Sequence, residues 1–257
     1  MGYEKNDLAQ MREAFESIQT RYLKLREDLI VRDYKTARGK EFAVHGFCRR
    51  LHTLALTTQN VFGMLPPDFQ GVPEKDVLNN VTIQVQAFVF NTFGAIDNLA
   101  WCWFYEKGLT RPNGKDVPAS WVVLSPENEF LVPTLSEPFR AHLAELKSWF
   151  DVIEGYRHGL AHRIPLYIPS YSVPENRAAE YKDLDAKVID ALARQAWDEM
   201  DKHEADQLAM HTFHPLMMHS FEEGARTISF HPQMVGDFAL VEVLGRRMLD
   251  ELKTLDA

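Results

Sequence analysis

The stretch that most limits the fold lies between residues 75 and 107. Its centre, AFVFNTFGAIDNLAWCWF, is apolar nearly all round when read at helical spacing. A helix with so little polar face must be surrounded, so it is the central member of a helical bundle or lies at a subunit interface. Further segments carry apolar residues three and four apart. Residues 3–33 do so through Leu8, Met11, Phe15, Ile18, Tyr22, Leu25 and Leu29, and 41–64 through Phe42, His45, Cys48, Leu51, Ala55 and Phe62. A fourth helix starts from Ser136 as N-cap, with Pro138 in its first turn, and runs through Phe139, Leu143, Leu146, Phe150, Ile153 and Leu160. Helices are also expected over about 184–210 and 236–255.

Proline marks the breaks between them. MLPPDFQGVPEKD ends the second helix, and RIPLYIPSYSVPEN stops the fourth. Residues 108–135 are rich in Pro and Gly and read as an irregular excursion with a short strand at SWVVL. PLMMHSF and ARTISF flank Glu223-Gly224 and predict a small β-hairpin near 215–230. The expectation is one all-α domain over 1–257: an antiparallel helical bundle with long loop excursions at about 108–135 and 163–183.

The chain is long enough for a sizeable core, with 257 residues, 46% of them hydrophobic. Its formal net charge of −9 disfavours sequence-independent coating of nucleic acid, though a local basic site remains compatible with it. Two cysteines, Cys48 and Cys102, make no disulfide framework and no C-x-x-C pair. The start MGYEKNDLAQ is polar, and no apolar run approaches bilayer length. A reducing, cytoplasmic setting without membrane contact is expected. There is no P-loop, no G-x-G-x-x-G and no G-x-S-x-G elbow, so no cofactor is expected either.

The chemistry-bearing segment is EGYRHGLAHRIP at 154–165. At about 100° per residue, Glu154, His158 and His162 share a helix face and Arg157 lies one step behind His158. Gly159 and Pro165 loosen and end the helix, which would let Arg157 and His162 converge. Three readings stand. The cations Arg157, His158, His162 and Arg163 can simply favour a helix C-terminus. Glu154, His158 and His162 can share a metal, with a further ligand from His211, His214 or His219. Or the segment acts on a phosphodiester: arginine holds the phosphate through its planar fork, and histidine moves a proton near neutrality. One histidine supplies a base or an acid, so a two-fold dimer would supply both.

RHGLAH resembles the signature of the HEPN superfamily, an arginine, a polar residue, three more residues and a histidine, here Arg157, His158 and His162. HRIPLYIPSY is similar to an uncharacterised bacterial branch of that superfamily. The resemblance implies an antiparallel bundle with its core at about 75–210 and extra helices at both ends. It also implies a homodimer with the motif in the dimer cleft. Activity in that family implies metal-independent RNA cleavage through the 2′-hydroxyl, with Arg157 on the scissile phosphate, His162 as acid/base and His158 as polar support. RNA or a nucleotide would be the ligand and an antitoxin protein a partner. Other relatives bind RNA or nucleotides, or serve as dimeric scaffolds, without cleaving.

Polar residues in apolar surroundings are candidate supports. Asp97 and Asn98 can orient Arg157 or His162, or bond a neighbouring helix; a tight Asp97–Arg157 pair would make the arginine structural. Tyr156, Tyr167 and Tyr171 can stack on bases or cap a core. Arg49-Arg50 and Arg246-Arg247 read as solvated helix faces.

Overall fold

The chain, in a computed structural model that describes residues 3–111, 113–220 and 227–256, runs through α1 (Lys5–Val31), α2 (Ala37–Lys40), a π-helical segment (Glu41–Phe47), α3 (Cys48–Met64) and α4 (Lys75–Lys107). After the first excursion come α5 (Glu137–Glu145), α6 (Lys147–His162), α7 (Ala178–Ala193) and α8 (Trp197–Leu208). Strands β1 (Leu216–Met217) and β2 (Ile228–Ser229) precede the final helix α9 (Phe230–Lys253). The fold is all-α with one very small antiparallel sheet, in which Leu216 faces Ser229 and Met217 faces Ile228. The Glu223-Gly224 turn proposed for this hairpin lies outside the described residues.

The apolar helix α4 packs on α3, α6 and α9, while α1 packs on α3 and α9. Burial of Val81, Val85, Phe88, Ala95, Leu99 and Trp103 explains why this helix needs so few polar residues. The central partner on the other side is α9, through Phe238, Val241, Leu244 and Met248. The packed core therefore extends beyond 75–210 at both ends. It also leaves out α7 and α8, which pack on each other and bury Leu184 and Ala191 there.

Buried carboxylates tie the loops to the bundle, because a buried charge persists only where it is paired or hydrogen-bonded. Glu106 accepts from Lys35 N (2.9 Å), Thr36 N (3.0 Å) and Thr36 Oγ1 (2.8 Å), anchoring the start of α2. Glu251 accepts from Ser136 N at 3.1 Å and from the Ser136 hydroxyl, anchoring the start of α5. Glu242 pairs with Arg21 at 2.7 Å and with Arg246.

Several boundaries differ from expectation. The fourth helix is two: Leu146 adopts φ −88° and ψ 5°, ending α5 and re-aiming α6. The fifth is also two, divided at Gln195, whose φ is +57°. SWVVL forms no strand; Ala119–Trp121 is a 3₁₀ turn, and Val122 and Leu124 are buried as anchors of the excursion. The last helix begins at Phe230, since Pro232 is tolerated in a first turn. The second excursion is pinned by bridges from Tyr167 to Met218 and from Ser172 to Thr212.

Candidate functional site

α6 carries the candidate residues, and its burial pattern decides what each can do. Phe150, Ile153, Tyr156 and Gly159 form the buried face, while Glu154, His158 and His162 are exposed and Arg157 is half-buried between. The helix continues through His162, and Arg163 leaves it with φ −133° and ψ −138°. Gly159 does not loosen it: the glycine makes room for the His219 ring, which a Cβ there would meet at 3.2 Å. Arg157 and His162 therefore stand about 140° apart around one regular helix and about 7.5 Å apart along it. The expected convergence within one chain is not formed.

Arg157 turns toward α4. Its guanidinium lies over the Phe93 ring, 4.4 Å from the centroid. Burial holds the Asp97 carboxyl above its usual range, and the charges of Arg157 and Arg50 pull it back. Arg157 and Asp97 do not close an ion pair, though each charge acts on the other. His158 and His162 sit side by side, ring centroids 5.3 Å apart and planes at 57°. Neighbouring Phe93, Asp97, Lys147, Asp151 and Glu154 line part of a cleft of about 110 Å³. Lys147 there is already engaged, by Glu127 at 2.6 Å and Asp151 at 3.2 Å, so the cleft offers an anion little.

Other expected supports are placed elsewhere. Tyr156 is a core residue: its hydroxyl donates to Met217 O at 3.3 Å, its ring meets His219 edge-on, and burial pushes its hydroxyl up to about 12. It cannot stack on a base. Tyr167 is half-buried and its hydroxyl donates to Met218 Sδ at 3.3 Å. Tyr171 is exposed but stacked on His211, with centroids 3.5 Å apart. Asn98 does not orient Arg157 or His162; its Oδ1 accepts from Arg50 Nε at 2.9 Å.

The metal reading is not carried. Glu154 and His162 are eight residues apart, about 12 Å along a helix, too far for both to reach one ion with His158. Among the described residues no three His, Cys, Asp or Glu side chains gather into a ligand set. No described helix is long and apolar enough to cross a membrane.

Neither arginine pair is simply a solvated helix face: Arg246 and Arg247 are half-buried, and Arg246 pairs with Glu242 and Asp28. Arg50, taken as part of a solvated face, is half-buried and hydrogen-bonded to both Asn91 and Asn98 on α4. Its partners lie 41 and 48 residues away, so nothing local marks it. Comparison with models of protein families, with curated proteins and with solved structures finds no match.

Proposed function

We propose that this chain is a HEPN-like endoribonuclease that works without metal, through a site completed across a two-fold homodimer. The observation that carries the reading is the end of α6. It presents an arginine with no ion pair among the described residues and two exposed histidines in contact range, His158 one step round the helix and His162 about 140° away. Because Arg157 and His162 diverge within one helix, a symmetric pairing of two α6 ends is what brings an arginine and an acid/base histidine to one phosphate.

In this reading Arg157 holds the scissile phosphate and stabilises the charge that grows on it. His162 of one copy takes the proton of the ribose 2′-hydroxyl. The oxygen attacks phosphorus, the bond to the 5′-oxygen breaks, and His162 of the other copy gives that oxygen a proton. The products are a 2′,3′-cyclic phosphate and a 5′-hydroxyl. His158, packed beside His162, orients the ring. The buried free thiols of Cys48 and Cys102 suit a reducing cytoplasm.

The test uses purified protein on single-stranded RNA. Cleavage should persist in EDTA and vanish when the scissile ribose is 2′-deoxy. His162→Ala should lower the rate roughly 10²–10⁴-fold, and Arg157→Ala comparably, with unchanged helical content. Equal cleavage by wild type and His162→Ala would remove the assignment. A second reading, a dimer that binds RNA or nucleotide without cleaving it, is favoured by the seating of Arg157 on Phe93 beside Asp97. It predicts binding that Arg157→Ala weakens and no cleavage of any RNA.

A further inference from the structure

Three partly buried arginines of this fold are met by carboxylates: Arg21 by Glu242, Arg32 by Asp256, Arg246 by Glu242 and Asp28. Arg50 is treated differently. Its Nε donates to Asn98 Oδ1 at 2.9 Å and its Nη1 to Asn91 Oδ1 at 3.2 Å. Both acceptors are neutral amides, in a chain with 37 acidic residues to draw on. An aspartate at either position would have made an ion pair. The amides fix the fork without cancelling its charge.

The surroundings are shaped for this. Gly94 forms the floor under the guanidinium, and a Cβ there would overlap it. Gly46, in the π-helical segment just before α3, leaves room for the Asn98 amide, which a Cβ would meet at 2.8 Å. A guanidinium has five N–H groups, and two are used here, so Nη2 and one N–H of Nη1 remain to donate. Phe90, next to Asn91 in the chain and one turn before Gly94, is 41% exposed. On the same helix, Phe93 seats Arg157, and Asp97 feels both Arg50 and Arg157. Two guanidiniums thus border one stretch of α4, with the Asp97 carboxyl, which burial pushes toward its neutral form, near both.

We propose that Arg50 is a second phosphate-binding group, which takes another phosphate of the same single-stranded ligand that Arg157 holds, with Phe90 as a stacking face. This rests on the reading of Arg157 as a phosphate site. The geometry matches the general way single strands are held, by cations along the backbone and aromatic faces for bases.

The probes are 2′-O-methyluridine dinucleotides, which cannot be cleaved through the 2′-oxygen, with and without a 5′-phosphate. Affinity is read by NMR titration of the full chain, following backbone amide signals of α4 that every variant retains. In wild type the 5′-phosphate should strengthen binding about tenfold, the size of one charge-assisted contact. Arg50→Gln should erase that advantage and leave the unphosphorylated form within about twofold. Gly94→Ala keeps the charge and favours the helix, but pushes the fork off its floor, so it should erase the advantage too. Arg157→Ala should weaken both forms. If the advantage survives in Arg50→Gln, or is missing in wild type while Arg157→Ala still weakens binding, Arg50 is only a clamp between α3 and α4 and the Arg157 reading stands. If neither form binds and Arg157→Ala is silent, both are overturned. If Phe90→Asp turns a dimer into a monomer in sedimentation, this face is a subunit contact, and the proposal falls.

Discussion

Asp237 and His231 are both buried near the start of α9, and their titrations oppose each other. Asp237 accepts from Trp149 Nε1 at 2.7 Å and Gln233 Nε2 at 2.5 Å, yet burial pushes its carboxyl up to about 7. His231 Nε2 donates to Leu65 O at 2.7 Å and its Nδ1 accepts from Tyr3; burial pushes its ring down to about 4. A raised carboxyl holds its proton more tightly folded than unfolded, so Asp237 costs stability as pH rises from about 4 to about 7. A depressed histidine does the reverse: its folded form gains stability as pH rises from about 4 to about 6.5. Each contributes on the order of 3–4 kcal/mol. Wild-type stability should therefore vary little across that window. Asp237→Asn should leave a rising profile and His231→Gln a falling one, measured by urea unfolding at several pH values. Superimposable profiles for all three proteins would show that neither group titrates with folding. At this scale the sequence was readable only where partners are local. The basic cluster at 157–163 stood out because its members are neighbours in the chain. Nothing in the chain chose between the two readings of Tyr156 and of Asn98, or marked Arg50, because Met217, Arg50 and the two asparagines that define them are brought in by folding.

Among the elements, the α7–α8 pair turns on one unfavourable residue. Ala196 N donates to Ala191 O at 2.9 Å and Gln195 N to Leu192 O at 3.0 Å, the pattern of a helix end that wants glycine at Gln195. Gln195→Gly should raise the stability of this pair by up to about 1 kcal/mol, visible as slower amide exchange in α7 and α8. Faster exchange would mean that unfolded-chain entropy outweighs the relieved strain. The same residue explains why one helix was expected over 184–210: nothing in RQAW signals a left-handed turn. Leu146 is equally silent, since an apolar residue on the right stripe continues a helical period whether or not the backbone does. Helices α1 and α4 were legible almost to their ends because their stripes are long and bounded by polar or proline-rich breaks.

For the molecule as a whole, charge is distributed unevenly. Residues 178–208 carry nine acidic and four basic side chains, more than half of the net −9, on a helix pair outside the main core. The long-range repulsion that argued against RNA is thus concentrated away from α4. If Arg50 and Arg157 each meet one phosphate, affinity for a single strand should fall with salt at a log–log slope of about −1.4, measured by fluorescence anisotropy. A slope near zero would mean that no phosphate is neutralised, and a much steeper one that other cations take part. Helix α9 sets a different kind of limit, one of timing. It fills the space between α1, α3 and α4, so in a chain emerging from the ribosome those three helices lack a shared partner for part of their apolar faces until residue 253 is made. The faces that α9 covers stay open until it is made. Fragments ending at Ser229 should be captured by chaperones or precipitate rather than fold, and the protein's yield in a cell should depend on how quickly α9 follows α8.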